Sequence, residues 1–199
     1  MIHFRREAAR LELWKCLLNL HFFYKNDKEQ FKRVFFEALA ANVKSKIMEH
    51  VEILCLKGMR FDLGESLIEE YLKRVEQKEE AWLKFLKFIL ESKVLLLSKA
   101  EELPEGEARD SQSETIEIES KDKVKAVLRR SLQSLPKHKH IFFLSRYAVL
   151  EYKNGDPVTG RTNFENLVSS FPNRIDIWGV YLDMEIKYFR GQLEDVRGL

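Results

Sequence analysis

Apolar and aromatic side chains recur along the chain at a fixed interval of 34 residues. Trp14, Met48 and Trp82 are separated by this interval, and so are Leu144 and Trp178. A second series, three places further along, is apolar or aromatic throughout: Leu17, Val51, Phe85, Tyr147 and Tyr181. The interval from Trp82 to Leu144 is 62 residues, so one insertion of about 28 residues accounts for the single break. A 34-residue period with this pattern predicts a stacked helical repeat.

Each period contains two helical patterns separated by a turn. The first A helix is predicted from about Glu7 to Tyr24. Asn26 or Asp27 is the expected N-cap of the B helix that follows, whose predicted buried face consists of Phe31, Val34, Phe35, Ala38 and Leu39. Asp62, with Glu65 three places on, is an expected capping box for the next B helix, whose predicted buried residues are Leu67, Ile68, Tyr71 and Leu72.

The turn at residues 153–157, Lys-Asn-Gly-Asp-Pro, gives the clearest helix boundary. Gly155 is expected to end one helix in a left-handed conformation. Asp156 is expected to cap the next helix, with Pro157 at its first position, where no backbone donor is needed. Two helices joined this tightly are expected to pack antiparallel. The remaining prolines, Pro104, Pro136 and Pro172, also fall outside the predicted helix interiors.

Residues 98–120 differ from the rest of the chain because they lack an apolar stripe and carry a run of negative charge. Residues 101–119 contain eight acidic side chains and one basic side chain, Arg109, for a net charge of −7. The whole chain has a formal charge of +2, so the remainder carries +9. This composition predicts a disordered acidic insert at about 98–120, between the helices of the third repeat.

The composition, 45% hydrophobic and 33% charged with 8 glycines and 4 prolines, is typical of a soluble helical protein. Residues 1–199 are therefore expected to form one repeat array. Cys16 and Cys55 both lie in apolar helical stretches, which indicates buried thiols in a reducing compartment. No apolar run approaches the roughly 18 residues of a membrane span, and residues 1–6 are too charged for a signal peptide. We expect a cytosolic or nuclear protein without a membrane partner.

The A helices share the pattern Trp-x-x-aromatic-x-x-x-Glu. The last copy has Trp178, Tyr181 and Glu185, and the preceding copy has Leu144, Tyr147 and Glu151. The B helices end in a proline, at Pro136 and Pro172. This pattern resembles the HAT (half-a-TPR) repeat, a helical hairpin found in eukaryotic RNA-processing proteins. The resemblance implies an all-α, right-handed α-solenoid of about five TPR-like hairpins.

A closer resemblance involves residues 131–140, 150–156 and 171–187. These segments are similar to the C-terminal HAT region of a family of large pre-ribosomal-RNA processing factors with tandem S1 domains, and residues 14–20 resemble the start of that region. The resemblance implies a non-enzymatic scaffold in the nucleus and nucleolus, which supports pre-rRNA cleavage and assembly of small-subunit precursors. Its implied partners are pre-ribosomal RNA and pre-ribosomal assembly proteins.

Three features depart from that family. The sequence contains no S1 barrel, and the glutamate register of the first three repeats holds His21, Cys55 and Ile89. Residues 193–199 are expected to open a B helix and stop, which predicts a truncated last repeat. The open face of such a repeat makes self-association a further expectation.

Several side chains have both a structural and a functional interpretation. The aromatic series could stack RNA bases, but its recurrence with the repeat favours packing between helices for Trp14, Trp82, Phe85, Tyr147, Trp178 and Tyr181. Glu151 and Glu185 lie a whole repeat apart, so we expect them to accept hydrogen bonds or form ion pairs rather than act as an acid–base pair.

A basic stretch follows the acidic insert. It supplies the candidate RNA or partner contacts Lys121, Lys123, Lys125, Arg129, Arg130, Lys137, His138, Lys139 and His140. A solvated helix face is an equally good interpretation of these residues. A metal site at His138 and His140 would need two further ligands, so none is expected. A further hypothesis is that the acidic insert screens this basic patch in the absence of RNA.

The sequence has no Gly-rich phosphate loop, no Gly-x-Ser-x-Gly elbow and no His-Glu-x-x-His motif. We therefore expect neither an enzyme nor a cofactor. Two alternative functions stay open: a HAT scaffold of mRNA splicing or 3′-end processing, and a protein–protein adaptor without RNA contact. The 150–187 segment favours the ribosomal interpretation.

Overall fold

The computed structural model describes residues 2–25, 27–102, 104 and 106–197, and every regular element in these ranges is a helix. The chain divides into two compact units, Met1–Gln77 and Lys78–Leu199. The all-helical prediction is therefore confirmed over the described residues. No helix in the described part of the chain is long and apolar enough to cross a membrane.

The described residues of the first unit form four α-helices and one π-helical turn. Its elements are α1 (Ile2–Leu20), the π-helix His21–Lys25, α2 (Lys28–Ala41), α3 (Lys44–Lys57) and α4 (Phe61–Arg74). Asp27 caps α2, since its carboxylate accepts hydrogen bonds from the backbone N–H groups of Glu29 and Gln30 at 3.0 and 3.2 Å. Asn26, the alternative cap, lies outside the described residues. The predicted buried face of α2, from Phe31 to Leu39, is confirmed.

The predicted capping box at Asp62 is wrong, because α4 begins at Phe61 and Asp62 lies inside its first turn. The turn after α3 determines this start. The N–H of Arg60 donates to the carbonyl of Cys55 at 2.9 Å, and the carbonyl of Arg60 accepts the N–H of Gly64 at 3.1 Å. The predicted buried residues of this helix, Leu67, Ile68, Tyr71 and Leu72, are confirmed.

Where the structure describes the second unit, it forms five helices: α5 (Lys78–Glu101), α6 (Glu107–Ser134), α7 (Lys137–Asn154), α8 (Pro157–Ser170) and α9 (Ile175–Arg197). Helix α5 packs against α6 and α7, α7 packs against α8, and α9 packs against both α7 and α8. One core cluster joins the last three helices through Ala148, Tyr152, Phe164, Leu167, Val168 and Ile177. The helices α5/α6 and α7/α8 thus form two successive hairpins.

The prediction of a disordered loop over residues 98–120 is wrong for residues 98–101 and 107–120, which belong to α5 and α6. The segment contains seven glutamates, which favour a helix, and four serines, which tolerate one, so it can be helical without an apolar stripe. The negative charge of Asp110, in the first turn of α6, also interacts favourably with the helix dipole. Lys121 and Glu117 form an i,i+4 ion pair at 3.2 Å across the end of this segment.

The turn between α7 and α8 confirms two of its three predicted features. Asp156 accepts hydrogen bonds from the N–H groups of Val158 and Thr159, and Pro157 occupies the first helical position. Gly155 is not left-handed, since its φ is −118° and its ψ is −132°. A Cβ atom at this position would collide with the Glu151 carboxylate, so a larger residue here would force that side chain to move.

The repeating aromatic positions do not all pack as predicted. Trp82 is 7% exposed, and its Nε1 donates to Oγ of Ser134 on α6 at 2.7 Å. Phe85 and Tyr147 are also buried, and Trp14 and Tyr181 are half-buried. The prediction that Trp178 packs between helices is wrong, because this residue is 39% exposed. Its Nε1 donates to the carbonyl of Pro172 at 3.1 Å, whereas α6 covers the corresponding Trp82.

Two further sequence predictions need correction. Helix α9 continues to Arg197, so residues 193–197 do not open a separate B helix, and Gly198 and Leu199 lie outside the described residues. Cys16 is exposed rather than buried, because it is about 200° around α1 from the buried Leu18. Cys55 is buried as predicted, and burial raises the pKa of its thiol to about 12.

Candidate functional site

The basic residues of α6 divide between two sides of that helix. Lys121, Lys125 and Arg129 follow one another at four-residue spacing, so they form a row of about 12 Å along one side. Lys123 and Arg130 lie on the other flank, where the guanidinium of Arg130 is 5.5 Å from the centre of the Trp82 ring. The predicted basic stretch is therefore not a single patch.

Exposed basic residues also lie on both sides of the junction of α6 and α7. We use the name basic corner for Arg129, in the last two turns of α6, together with Lys137 and His138, in the first turn of α7. All three side chains are exposed, and α7 begins at Lys137 only two residues after α6 ends. The neighbouring candidates are engaged within the protein. Lys139 lies 3.6 Å from a carboxylate oxygen of Glu79, and Nε2 of His140 is 2.8 Å from the carbonyl oxygen of Leu135.

A groove of about 290 Å³ lies among α5, α6, α7 and α8, and we call it the α6 groove. Its apolar wall contains Leu90, Val124 and Leu128. Its basic residues are Lys93, Lys121 and Lys125, of which the last two are exposed and Lys93 is half-buried. The rest of its lining is polar or charged apart from the aromatic ring of Tyr147, and consists of Ser120, Tyr147, Glu151, Asp156, Thr159 and Asn163.

Glu151 forms the buried end of this groove and is 5% exposed. Its carboxylate accepts a hydrogen bond from the Tyr147 hydroxyl and another from the backbone N–H of Asp156. Burial outweighs these bonds and raises the pKa of Glu151, and burial likewise raises the pKa of Tyr147. The expected role of Glu151 as a hydrogen-bond acceptor is confirmed.

Asn163 lines the same groove beside Tyr147. Its side-chain amide is close enough to the Tyr147 hydroxyl to oppose the rise in that tyrosine's pKa. Among the described residues, however, the buried Nδ2 atom of Asn163 reaches no acceptor with good hydrogen-bonding geometry. The amide is thus a weak partner of Tyr147.

Glu185 on α9 is bound by α8 and α7 instead of lining the groove. Arg161 donates from Nη2 to Oε2 at 2.6 Å and from Nε to Oε1 at 3.0 Å, and the Tyr152 hydroxyl donates to Oε1. Burial would raise the pKa of Glu185, but the bonds from Arg161 and Tyr152 lower it overall. The expected ion pair is confirmed, and Glu151 and Glu185 belong to separate hydrogen-bonded sets.

No group of three or more His, Cys, Asp or Glu side chains in the described part of the chain could hold a metal ion. Nε2 of His140 lies against the carbonyl oxygen of Leu135, and His138 is exposed. These histidines are therefore described best as part of a basic surface.

Sequence reasoning missed Lys93 and Asn163 as groove residues. Both lie on predicted helices, but nothing in their spacing relates them to Lys121 or Tyr147. Only the packing of α5 and α8 around α6 and α7 brings them together. A useful signal was the 34-residue register, which identified Tyr147 and Glu151 at the buried end.

No protein-family model matches the chain. It is 36% identical to the rRNA biogenesis protein rrp5 of Schizosaccharomyces pombe over 94% of its length. It is 31% identical to the protein RRP5 homolog of Homo sapiens and 28% identical to the rRNA biogenesis protein RRP5 of Arabidopsis thaliana, in both cases over 100% of the chain. The chain spans 9% of the length of each of these three relatives. Similarity over nearly the whole chain to proteins of this name supports placing it in the RRP5 family.

Proposed function

We propose that the chain is a non-enzymatic RNA-processing scaffold in ribosome biogenesis. The observation that carries this proposal is the similarity of 94–100% of the chain to proteins named for rRNA biogenesis in a yeast and a plant, and to an RRP5 homolog in an animal. The chain matches one limited region of those proteins. The proposed contribution is therefore a binding surface that supports pre-rRNA cleavage and small-subunit precursor assembly in the nucleolus.

The proposed architecture is a right-handed solenoid of HAT hairpins. The α5/α6 and α7/α8 pairs support this proposal because each is a hairpin of the expected kind. The signature positions also support it. Tyr147 donates to Glu151 four residues away, and Glu185, one repeat later, is bonded to the neighbouring helices. Solenoids of this type present extended surfaces on which several partners can assemble.

Direct contact with pre-rRNA is proposed at the basic corner. Arg129, Lys137 and His138 are exposed there, and the last two occupy the first turn of α7. The unpaired N–H groups of a helix start favour a phosphate in the same place.

The relatives' names favour rRNA processing over mRNA splicing or 3′-end processing. A protein-binding role has separate support in α9, where apolar side chains recur on one side. Ile175 is 82% exposed, and Leu182 and Ile186 are more than half exposed. Together with Trp178 they form an exposed apolar stripe, which is typical of a protein contact. Pre-ribosomal assembly proteins are thus the second proposed class of partner.

Filter binding of labelled pre-rRNA spacer fragments over a salt series tests the RNA contact. The affinity of the unaltered chain should fall as salt rises, because bound phosphates release counterions. The Arg129→Glu/Lys137→Glu variant should bind roughly tenfold more weakly, with a salt slope that is less steep by about 1.4 for two lost phosphate contacts.

A matched control is Lys28→Glu/Arg33→Glu, which makes the same charge change at two exposed positions of α2. This variant should bind RNA as the unaltered chain does. Binding that does not depend on salt, or an equal loss in both variants, would exclude the basic corner as an RNA contact.

A further inference from the structure

We infer that the α6 groove docks a segment of a partner protein, with one apolar side chain in the groove and flanking carboxylates on its lysines. This inference goes beyond the proposed function and does not depend on RNA contact at the basic corner. It rests on the shape, the apolar wall and the charge of the groove.

The apolar wall of the groove is the surface on which the apolar side chain of the partner segment would bind. Leu90 of α5 and Val124 and Leu128 of α6 line a groove of about 290 Å³. This volume is at the small end of the range for ligand pockets, so it suits one large aliphatic side chain and the adjacent backbone. Grooves between helices commonly bind a peptide through such apolar anchors.

The lysines of the groove determine which charge the docked partner segment should carry. Lys121 and Lys125 project from α6, and Lys93 reaches the groove from α5. The first two make ion pairs with Glu117 at 3.2 Å and with Asp122 at 3.7 Å. Such pairs between exposed side chains are worth about 1 kcal/mol or less, so a partner carboxylate can replace them.

The acidic residues of the groove offset part of its positive charge, but their hydrogen bonds lie within the protein. Glu151 is buried, and its oxygens accept bonds from Tyr147 and from the N–H of Asp156. The Asp156 carboxylate accepts bonds from the N–H groups of Val158 and Thr159 and from the Thr159 hydroxyl. Both carboxylates are engaged within the protein, whereas the ammonium groups of Lys121 and Lys125 face solvent.

The same groove is a poor site for an RNA base. Single-stranded RNA is generally held by bases stacked on exposed aromatic rings. Tyr147, the aromatic residue in the lining, is 5% exposed, and its hydroxyl is bonded to Glu151. The groove therefore offers an apolar wall without a stacking surface, which favours a protein segment over RNA.

Fluorescence polarisation of the whole chain with three labelled peptides tests this inference. The first probe has a central leucine between runs of glutamate. The second replaces the leucine by asparagine, and the third replaces the glutamates by lysines. The first probe should bind, and each of the other two should bind at least roughly tenfold more weakly.

Two variants alter the groove in different ways. Lys93→Glu/Lys125→Glu reverses its charge, and Thr159→Phe adds a large side chain to its lining without removing a core side chain. Both should weaken binding of the first probe roughly tenfold. The control Lys123→Glu/Lys153→Glu makes the same charge change at exposed positions outside the groove lining and should leave binding unchanged. Circular dichroism of each variant verifies that the helices are intact.

The outcomes separate this inference from the proposed RNA contact. Loss of the first probe in both groove variants, with spacer RNA still bound, supports the inference. Failure of the first probe to bind, equal binding of the asparagine probe, or an equal loss in the control variant overturns it. RNA binding that is weakened by Thr159→Phe also overturns it, because the occupant would then be RNA.

Discussion

Glu151 and Glu185 lie 34 residues apart, yet their pKa values are shifted in opposite directions. Burial dominates at Glu151 and raises its pKa despite the bonds from Tyr147 and the Asp156 N–H. Burial also opposes ionisation at Glu185, but Arg161 and Tyr152 together lower its pKa. Two residues at one repeat position should therefore affect stability differently as the pH changes.

Glu185→Gln should destabilise the protein by about 1 kcal/mol at neutral pH, because the Arg161 ion pair is partly screened by solvent. The lowered pKa of Glu185 means that its contribution is present above the unfolded pKa of about 4.3 and is lost as the pH falls through the folded value. Urea denaturation of both proteins between pH 7 and pH 3 measures this. A difference that grows on acidification would contradict the assignment.

Glu151→Gln should show the opposite pH dependence. The raised pKa means that the stabilising contribution of the native glutamate is present below about pH 4.3 and is lost as the pH rises through the folded pKa. The variant should therefore gain stability relative to the unaltered chain between pH 4 and pH 7. Parallel curves for the two proteins in the same urea experiment would show that Glu151 does not titrate with a raised pKa.

The two tryptophans Trp82 and Trp178 should differ in their effect on stability. Trp82→Ala should cost about 3–5 kcal/mol, since the indole is buried against α6 and bonded to Ser134. Trp178→Ala should cost only about 1–2 kcal/mol, because 39% of that side chain is already exposed. Urea denaturation monitored by circular dichroism compares them. Equal losses would mean that the environment of Trp178 resembles that of Trp82.

Two helical glycines provide a matched test of packing in the second unit. A Cβ atom at Gly160 would lie 2.6 Å from Cδ2 of the buried Tyr152 ring, so Gly160→Ala should destabilise by about 1–3 kcal/mol. A Cβ atom at Gly179 meets no heavy atom within 4 Å, so Gly179→Ala should stabilise by about 0.5–1 kcal/mol. Thermal unfolding of both variants shows whether each substitution stabilises or destabilises the protein. Stabilisation by Gly160→Ala would exclude the close α7/α8 contact.

The helices with a strong apolar stripe could be predicted from sequence. Phe31 to Leu39 of α2 and the cap at Asp27 are examples, because local spacing and turn chemistry determine both. The beginning of α6 could not be found in this way. Its residues 107–120 have little apolar periodicity, so a helix of polar residues resembles a loop in the pattern.

The α6 groove could not be predicted from the sequence, because local patterns do not show which helices pack together. Lys93, Leu128 and Asn163 come from three helices, and only tertiary packing brings them together. The same limit applies to Trp178. Its repeat position predicts burial, but the exposure of a side chain depends on which helix covers it. Repeat spacing identified positions, whereas packing determined their environments.

Crosslinking of a tagged chain to RNA in cells, followed by sequencing of the bound RNA, tests the proposed scaffold role most directly. The account predicts that reads concentrate in the spacers of pre-ribosomal RNA and decrease in the Arg129→Glu/Lys137→Glu variant, but not in Lys28→Glu/Arg33→Glu. Reads concentrated in mRNA precursors, or no enrichment over untagged cells, would contradict a scaffold that contacts pre-ribosomal RNA.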